Sequence, residues 1–97
     1  MASDQAIATD RLRRALLAFQ AAKSLFLNAR RRPKTRPQAE VIAYWAGPGR
    51  QVKADLRLAA AEVDAAFLAF SAAGLVASSS DRPLIAEAQR YWAEGKP

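Results

Sequence analysis

The chain contains no cysteine and no histidine among its 97 residues. The absence of cysteine excludes disulfides and thiol chemistry, and without either residue type the usual zinc ligands are missing. Without histidine, the chain also lacks the side chain whose unperturbed pKa lies nearest neutrality. The sequence therefore predicts a fold held together by packing, with no cofactor and no metal site.

Long apolar runs are absent as well. The best candidate for a membrane span, Ala65 to Ala77, has 13 residues and includes Ser71 and Gly74, whereas a bilayer requires about 20 apolar residues. Near the N-terminus, Lys23 interrupts the apolar run that would have to serve as a signal peptide. These features predict no membrane span and, by default, a cytoplasmic location.

The sequence also lacks the motifs of common active sites. Its acidic residues are scattered, and the near pair Glu62 and Asp64 projects in different directions on a helix, where neighbours are three or four residues apart. There is no glycine-rich phosphate loop and no helix motif with paired carboxylates. We therefore expect a protein that is not an enzyme and has no catalytic residues.

Tryptophan and tyrosine are scarce, and their positions indicate a repeat. Both Trp and both Tyr lie in two similar segments, 39–46 (AEVIAYWA) and 86–93 (AEAQRYWA), and an Arg-Pro pair precedes each segment. Upstream, residues 17–22 (LAFQAA) recur as residues 68–73 (LAFSAA). The pattern predicts one domain over 1–97 that arose by internal duplication of a helical unit, with repeat one at about 4–49 and repeat two at about 50–97.

Apolar residues recur every three or four positions in the first part of each repeat, which is the spacing of one face of a helix. This spacing predicts long helices over about 4–31 and about 50–77. The first row is Ala8, Leu12, Ala15, Phe19, Ala22, Phe26 and Ala29. The second row is Val52, Leu56, Ala59, Val63, Ala66, Phe70, Ala73 and Ala77. Because the repeat aligns the two rows in one register, we expect these helices to form the main antiparallel pair.

A short helix is predicted after each long one. Thr35, with Gln38 three residues later, fits a capping box, and the helix would run over about 36–46 until the Gly47-Pro48-Gly49 segment ends it. Its inward row is Val41, Ile42 and Trp45.

The last helix is predicted over about 82–94, with Ser80 or Asp81 as its cap. Its inward row is Leu84, Ile85, Ala88, Tyr91 and Trp92. The sequence therefore predicts an all-α fold, a small four-helix domain with two long and two short helices. Each Trp is expected to lock a short helix against a long one.

Positive charge is concentrated in the first half of the chain. Residues 1–50 carry ten basic and three acidic side chains, whereas residues 51–97 carry five basic and six acidic ones. The densest cluster is Arg30, Arg31, Arg32, Lys34 and Arg36. Clustered arginines neutralise nucleic-acid phosphates, and the same charges suit an acidic protein partner or, within a basic amphipathic helix, an anionic membrane surface. A solvated loop at a helix C-terminus is the alternative without a binding role.

The long helices carry more apolar residues than one packing seam requires. Beside the first seam lie Leu16, Leu17, Leu25 and Leu27, and beside the second lie Leu58, Leu68 and Leu75. Exposed apolar patches of this kind mark interfaces. We therefore expect a non-enzymatic protein-interaction module, an adaptor or an inhibitor, that forms a homodimer through the leucines of the first helix. Nucleic-acid binding through the basic cluster is the alternative function. Tyr44 and Tyr91, at the edges of the Trp rows, are candidates for exposed aromatic contacts.

Overall fold

The computed structural model describes residues 3–30 and 37–94, and it contains helices and no strands in these ranges. The helices are α1 (Asp4–Arg30), α2 (Gln38–Ala46), α3 (Pro48–Ala72) and α4 (Arg82–Glu94). The predicted all-α fold with two long and two short helices is confirmed.

Helices α1 and α3 run antiparallel along most of their length. The side-chain amide of Gln5 donates a hydrogen bond to the Ala73 carbonyl (3.1 Å), and Arg11 pairs with Glu62 further along α1 (2.9 Å). Residue numbers therefore rise along α1 as they fall along α3, which confirms the predicted main pair.

The core lies where the two predicted seams meet. Phe19 on α1 and Val63 on α3 are its largest fully buried side chains. Most of the other seam residues are buried or half-buried, as the spacing predicted. Ala60 is also fully buried although it lies outside the predicted seam. Small side chains between larger ones allow the helix axes to approach closely, because interaxial distance depends on the side chains at the contact.

Helix α4 packs beside the α1–α3 pair and completes the core. Ile85 and Ala88 are buried, while Tyr91 and Trp92 pack against the core half-buried, so the predicted inward row is confirmed. Lys23 on α1 forms an ion pair with Glu87. Both side chains of this ion pair are largely screened from solvent, so the pair helps to set the position of α4 along α1.

Helix α3 begins and ends earlier than the predicted range of 50–77. Pro48 is its first residue, a position that suits proline because its ring presets the backbone and no N–H is needed there. At the other end Gly74 adopts a φ of 82°. The amide of Gly74 bonds to the Ser71 carbonyl and that of Leu75 to the Phe70 carbonyl, which is the Schellman arrangement that terminates a helix. Gly74 therefore ends the helix instead of serving a close helix contact.

The starts of the other helices can be compared with their predicted caps. The Ser3 hydroxyl accepts the amide of Ala6 at the start of α1 (3.1 Å), the bond expected of an N-cap serine. At the start of α4 the Asp81 carbonyl accepts the Ile85 amide (3.0 Å), so Asp81, one of the two predicted caps, occupies the N-cap position before Arg82. The Ser78 hydroxyl accepts the Asp81 amide (3.3 Å) in the turn before the helix. For α2 the N-cap residue is Pro37, and the predicted cap at Thr35 lies outside the described residues.

Helix α2 differs most from its prediction. None of its residues is buried, and two members of its expected inward row, Val41 and Ile42, are 41% and 62% exposed. Only its C-terminal turn is fixed to the bundle, where Trp45 meets the ring of Phe26 edge-on (6.0 Å). A nine-residue helix anchored at one end leaves the rest of its apolar row in solvent. Its Trp nevertheless packs against a long helix, as expected.

Substitution of Gly49 is expected to disturb this anchor. A Cβ on Gly49 would lie 2.5 Å from the Trp45 ring, so Gly49→Ala should cost about 1–3 kcal/mol through overpacking. The matched control is Gly47→Ala, because a Cβ there meets only the Ala43 carbonyl at 3.5 Å. Urea denaturation followed by the fluorescence of Trp45, in a Trp92→Phe background, measures both variants. Equal stability of the two alanine variants would contradict the tight Gly49 contact.

The two repeats bury equivalent positions but pack their short helices differently. Leu12 and Phe19 are buried like their counterparts Val63 and Phe70. Helix α4, however, has its backbone close to both long helices. The backbone of α2 is close to α3, and α2 reaches α1 through the Trp45 side chain. The duplication stays a prediction, and the shared register of the two seams is observed.

Candidate binding surfaces

The structure describes one residue of the predicted basic cluster, Arg30 at the end of α1. It is exposed, and its guanidinium carbon lies 5.8 Å from the centre of the Phe26 ring. The remaining members, Arg31, Arg32, Lys34 and Arg36, lie outside the described residues.

The predicted leucine surface of α1 does not form one patch. Leu16 is 6% exposed and belongs to the core, because α4 covers this side of α1, and Leu27 is half-buried. Leu17 and Leu25 are 58% and 62% exposed. Eight residues separate them, which places them about 80° apart around the helix. This separation is within the width of one helix face, and Leu17, Ala21 and Leu25 form an exposed row on α1. Leu16 is therefore corrected to a core residue, and an α1 interface through Leu17 and Leu25 stays a prediction.

The two tyrosines are also less available than predicted. Tyr91 is half-buried and meets the Phe19 ring edge-on at 5.9 Å. Tyr44 is half-buried and meets the Trp45 ring at 5.2 Å. Both rings are parts of the packing, and the prediction that they are exposed aromatic contacts is corrected.

Basic residues in the first half of α1 have acidic partners nearby. Arg13 and Arg14 both bind Asp10 (2.8 and 2.9 Å). The hydrogen bond from Arg13, with the positive charge of Arg14, holds the pKa of the Asp10 carboxyl below its usual value. This favourable contribution is therefore present at neutral pH and is lost as the pH falls through the lowered pKa. On the facing helix, the hydrogen bond to Glu62 raises the pKa of Arg11.

A different set of cations gathers where α2 meets the bundle. The ammonium of Lys53 lies 5.1 Å from the centre of the Trp45 ring, and the guanidinium carbon of Arg57 lies 5.4 Å from that of Trp92. With Arg30 on Phe26, three cations stack on three rings at one end of the molecule. None of the three has an ion-pair partner within the described part of the chain. We call this region the basic end.

A cavity of about 400 Å³ opens in the basic end. Its lining residues are Phe26, Lys53, Leu56, Arg57, Tyr91 and Glu94. The Nε of Arg57 is buried and bonds to no acceptor among the described residues. The basic end therefore combines rings with positive charge, a combination that the sequence order conceals because Trp45 and Trp92 are far apart along the chain.

The longest exposed apolar surface lies on α3 and runs opposite its core seam. It consists of Ala54, Leu58, Ala61, Ala65, Leu68 and Ala72, at the spacing 4-3-4-3-4. We call it the outer seam. Ala61 and Ala65 lie two residues to either side of the buried Val63, and two residues correspond to about 200° on a helix. The outer seam therefore points away from the core.

Two leucines give the outer seam its apolar character. Leu58 is 67% exposed and Leu68 is 62% exposed. Ala54 and Ala72 are exposed, and Ala61 and Ala65 in the middle are half-buried. The sequence contained the signal, since the 4-3 spacing occurs twice in α3. One row contains Val63 and Phe70 and faces the core, and the other row is the outer seam with Leu58 and Leu68.

No group of three or more acidic side chains in the described ranges is arranged to hold a metal ion. Within those ranges, no helix has the length and hydropathy to cross a membrane. Comparisons of the chain with protein-family models, with curated proteins and with solved structures found no match.

Proposed function

We propose that this chain is a small non-enzymatic protein-interaction module, an adaptor or an inhibitor, and that the outer seam of α3 is the surface it presents to a partner protein. The observation that carries the proposal is the exposure of Leu58 and Leu68 on one uninterrupted apolar row.

The physical reason is the free energy of apolar hydration. Burying apolar surface is the dominant favourable term in most protein associations, and contiguous exposed apolar surface marks interaction sites. The outer seam extends from Ala54 to Ala72 without a charged residue in the row. This length corresponds to about 27 Å of helix. A helix face of this kind fits an apolar groove or another helix face.

The basic end supports the same function in a second way. Arg30, Lys53 and Arg57 lie at one end of an elongated molecule that measures 54 Å along its longest axis. Positive charge on one side steers association with an acidic partner and raises the association rate more than the affinity. The proposed partner is therefore a protein with an apolar contact surface, and acidic residues beside that surface would speed its association.

Replacing both exposed leucines tests the proposal. The double variant Leu58→Glu, Leu68→Glu is expected to retain its fold, because both side chains are largely in solvent. It should lose at least ten-fold in affinity for the partner, since two charges would have to be buried without counter-ions. Partners are first co-isolated from the native host with the wild-type chain, then purified and titrated against both proteins by calorimetry.

The matched control is Leu17→Glu, because Leu17 is 58% exposed and lies on α1, away from the outer seam. The control should bind like the wild type. Equal binding by the wild type and the double variant, with folding confirmed by circular dichroism, would refute the outer seam as the docking surface.

A second candidate function is single-stranded nucleic-acid binding at the basic end. The stacking of three cations on Phe26, Trp45 and Trp92 favours it. Proteins that bind single strands combine aromatic rings with a positive groove. Against it, cations already cover the rings, and Glu94 lines the same cavity.

Changing Arg30 and Lys53 together to Gln separates the two functions, because both are exposed residues of the basic end. Stability should shift by less than about 0.5 kcal/mol, as is usual for surface changes. If the basic end binds a single-stranded oligonucleotide, the slope of log K against log salt should flatten by about 0.7 for each phosphate contact removed. Fluorescence anisotropy measures both quantities. The control changes Arg11 and Arg13 to Gln, because these two cations lie outside the basic end and pair with Glu62 and Asp10. Salt-independent binding, or none, would reject this candidate.

A further inference from the structure

We infer that the outer seam docks on the outer seam of a second copy of this chain, with the two α3 helices antiparallel across a two-fold axis near residue 63. The inference rests on the proposed function, because it uses the same surface, and it names the partner.

The order of residues in the outer seam is the first reason. Read from either end the seam is Ala, Leu, Ala, Ala, Leu, Ala, and its spacing of 4-3-4-3-4 is also symmetric. A two-fold interface requires that if residue i contacts residue j of the partner, then j contacts i. Antiparallel packing meets this requirement along the whole seam. It sets Leu58 against Leu68 of the second copy, and Ala54 against its Ala72.

The sizes of the side chains are the second reason. Ala61 and Ala65 occupy the middle of the seam, with one leucine beyond each of them. Small residues at the centre allow the two helix axes to approach to about 8 Å, the lower end of the usual range. The leucines then fill the space on both sides of the centre, and each leucine layer pairs two large apolar side chains that are more than 60% exposed in the single chain.

The charges of α3 select the antiparallel direction. Arg50, Lys53 and Arg57 lie in its first half, whereas residues 65–80 carry no charge. In a parallel dimer, each of these three cations would lie near the same residue of the second copy, and like charges in contact disfavour association. An antiparallel pair sets them beside the uncharged half of the partner instead. Near the axis, Glu62 already pairs with Arg11, and Asp64 accepts a hydrogen bond from Gln89.

The area of the outer seam determines how tightly the two copies are expected to bind. About 27 Å of helix at a width of about 10 Å gives a footprint of about 270 Å² per copy. A standard stable interface buries about 800 Å² per partner, and smaller ones are weak or transient. We therefore expect a dissociation constant of about 10–100 μM, so that the dimer forms at high local concentration.

Cysteine cross-linking tests both the partner and the direction, because the chain has no native cysteine. Chains carrying Ala54→Cys and chains carrying Ala72→Cys are oxidised separately and as a mixture at about 200 μM, above the expected dissociation constant. The antiparallel dimer brings these two positions together, whereas it separates two copies of position 54 by about 27 Å. A disulfide needs Cα atoms within about 7 Å. The mixture should therefore cross-link at least ten-fold faster than either chain alone.

The control mixture pairs Ala54→Cys with Leu17→Cys, which is similarly exposed on another face, and should cross-link no faster than the separate chains. Fast cross-linking of Ala54→Cys alone would overturn the antiparallel direction, since it indicates parallel packing. Equal slow rates in every sample would overturn the second copy as partner. In that case the proposed function still stands if the Leu58→Glu, Leu68→Glu variant loses a foreign partner, and it falls if that binding is unchanged.

Discussion

Replacing Phe19 with alanine is expected to lower the free energy of unfolding by about 3–5 kcal/mol. Phe19 has no exposed surface, and its ring contacts Tyr91 of α4 at 5.9 Å. Its removal leaves a cavity at the junction of α1, α3 and α4 that these helices can only partly close. A domain of this size is stable by about 5–15 kcal/mol, so the loss is a large share of the total.

Urea denaturation followed by circular dichroism measures this loss. The control is Leu25→Ala on the same helix, where 62% exposure predicts a change within about 0.5 kcal/mol. Should Phe19→Ala fail to fold, Phe19→Leu keeps most of the volume and should give a smaller but measurable loss. A loss below about 1 kcal/mol for Phe19→Ala would show that the ring is not at the centre of the core.

The main helix pair could be predicted from the sequence because its packing follows a local rule. Residues that recur every three or four positions share one face of a helix whatever the tertiary structure. Leu12, Phe19, Val63 and Phe70 are therefore buried as expected. The C-terminal boundary of α3 could not be predicted as accurately as this helix pair. The seam spacing continues to Ala77, and that residue is buried, although the chain leaves the helix at Gly74.

The inward row of α2 was wrong for a different reason. Periodicity shows which residues share a face, but it does not show whether another helix covers that face. The C-terminal turn of α2, with Trp45, reaches the bundle, whereas Val41 and Ile42 extend beyond it. The same limit explains Leu16 and Leu17, which are adjacent in sequence although the first is buried in the core and the second is exposed.

The basic end and the outer seam both depend on tertiary structure. Lys53 contacts the ring of Trp45, and Arg57 contacts the ring of Trp92. Each contact joins two different helices, so the order of residues in the sequence does not show that these rings and charges lie together. The outer seam was visible as a pattern, but its exposure follows only once the core seam is assigned to the opposite face. No sequence property of Leu58 distinguishes it from the buried Leu56.

The second large effect is expected from Leu58→Glu together with Leu68→Glu in the isolated protein. In the antiparallel arrangement each leucine faces the other leucine of the second copy, so the two changes place four carboxylates across the interface. Each facing pair of glutamates combines like-charge repulsion with the desolvation of both groups. The dissociation constant of the dimer should rise at least 100-fold. The fold should remain, since α1 and α4 pack on the opposite face of α3.

Sedimentation equilibrium of the wild type and this double variant tests most directly whether the outer seam is a docking surface. The wild-type mass should rise from 10.5 kDa toward twice that value as the concentration passes through about 10–100 μM. The double variant should stay at the mass of one chain throughout. Added salt should not weaken the wild-type dimer, because the contact is apolar and salt screens the repulsion between two chains of formal charge +6. Identical masses for the two proteins at every concentration would contradict docking between outer seams.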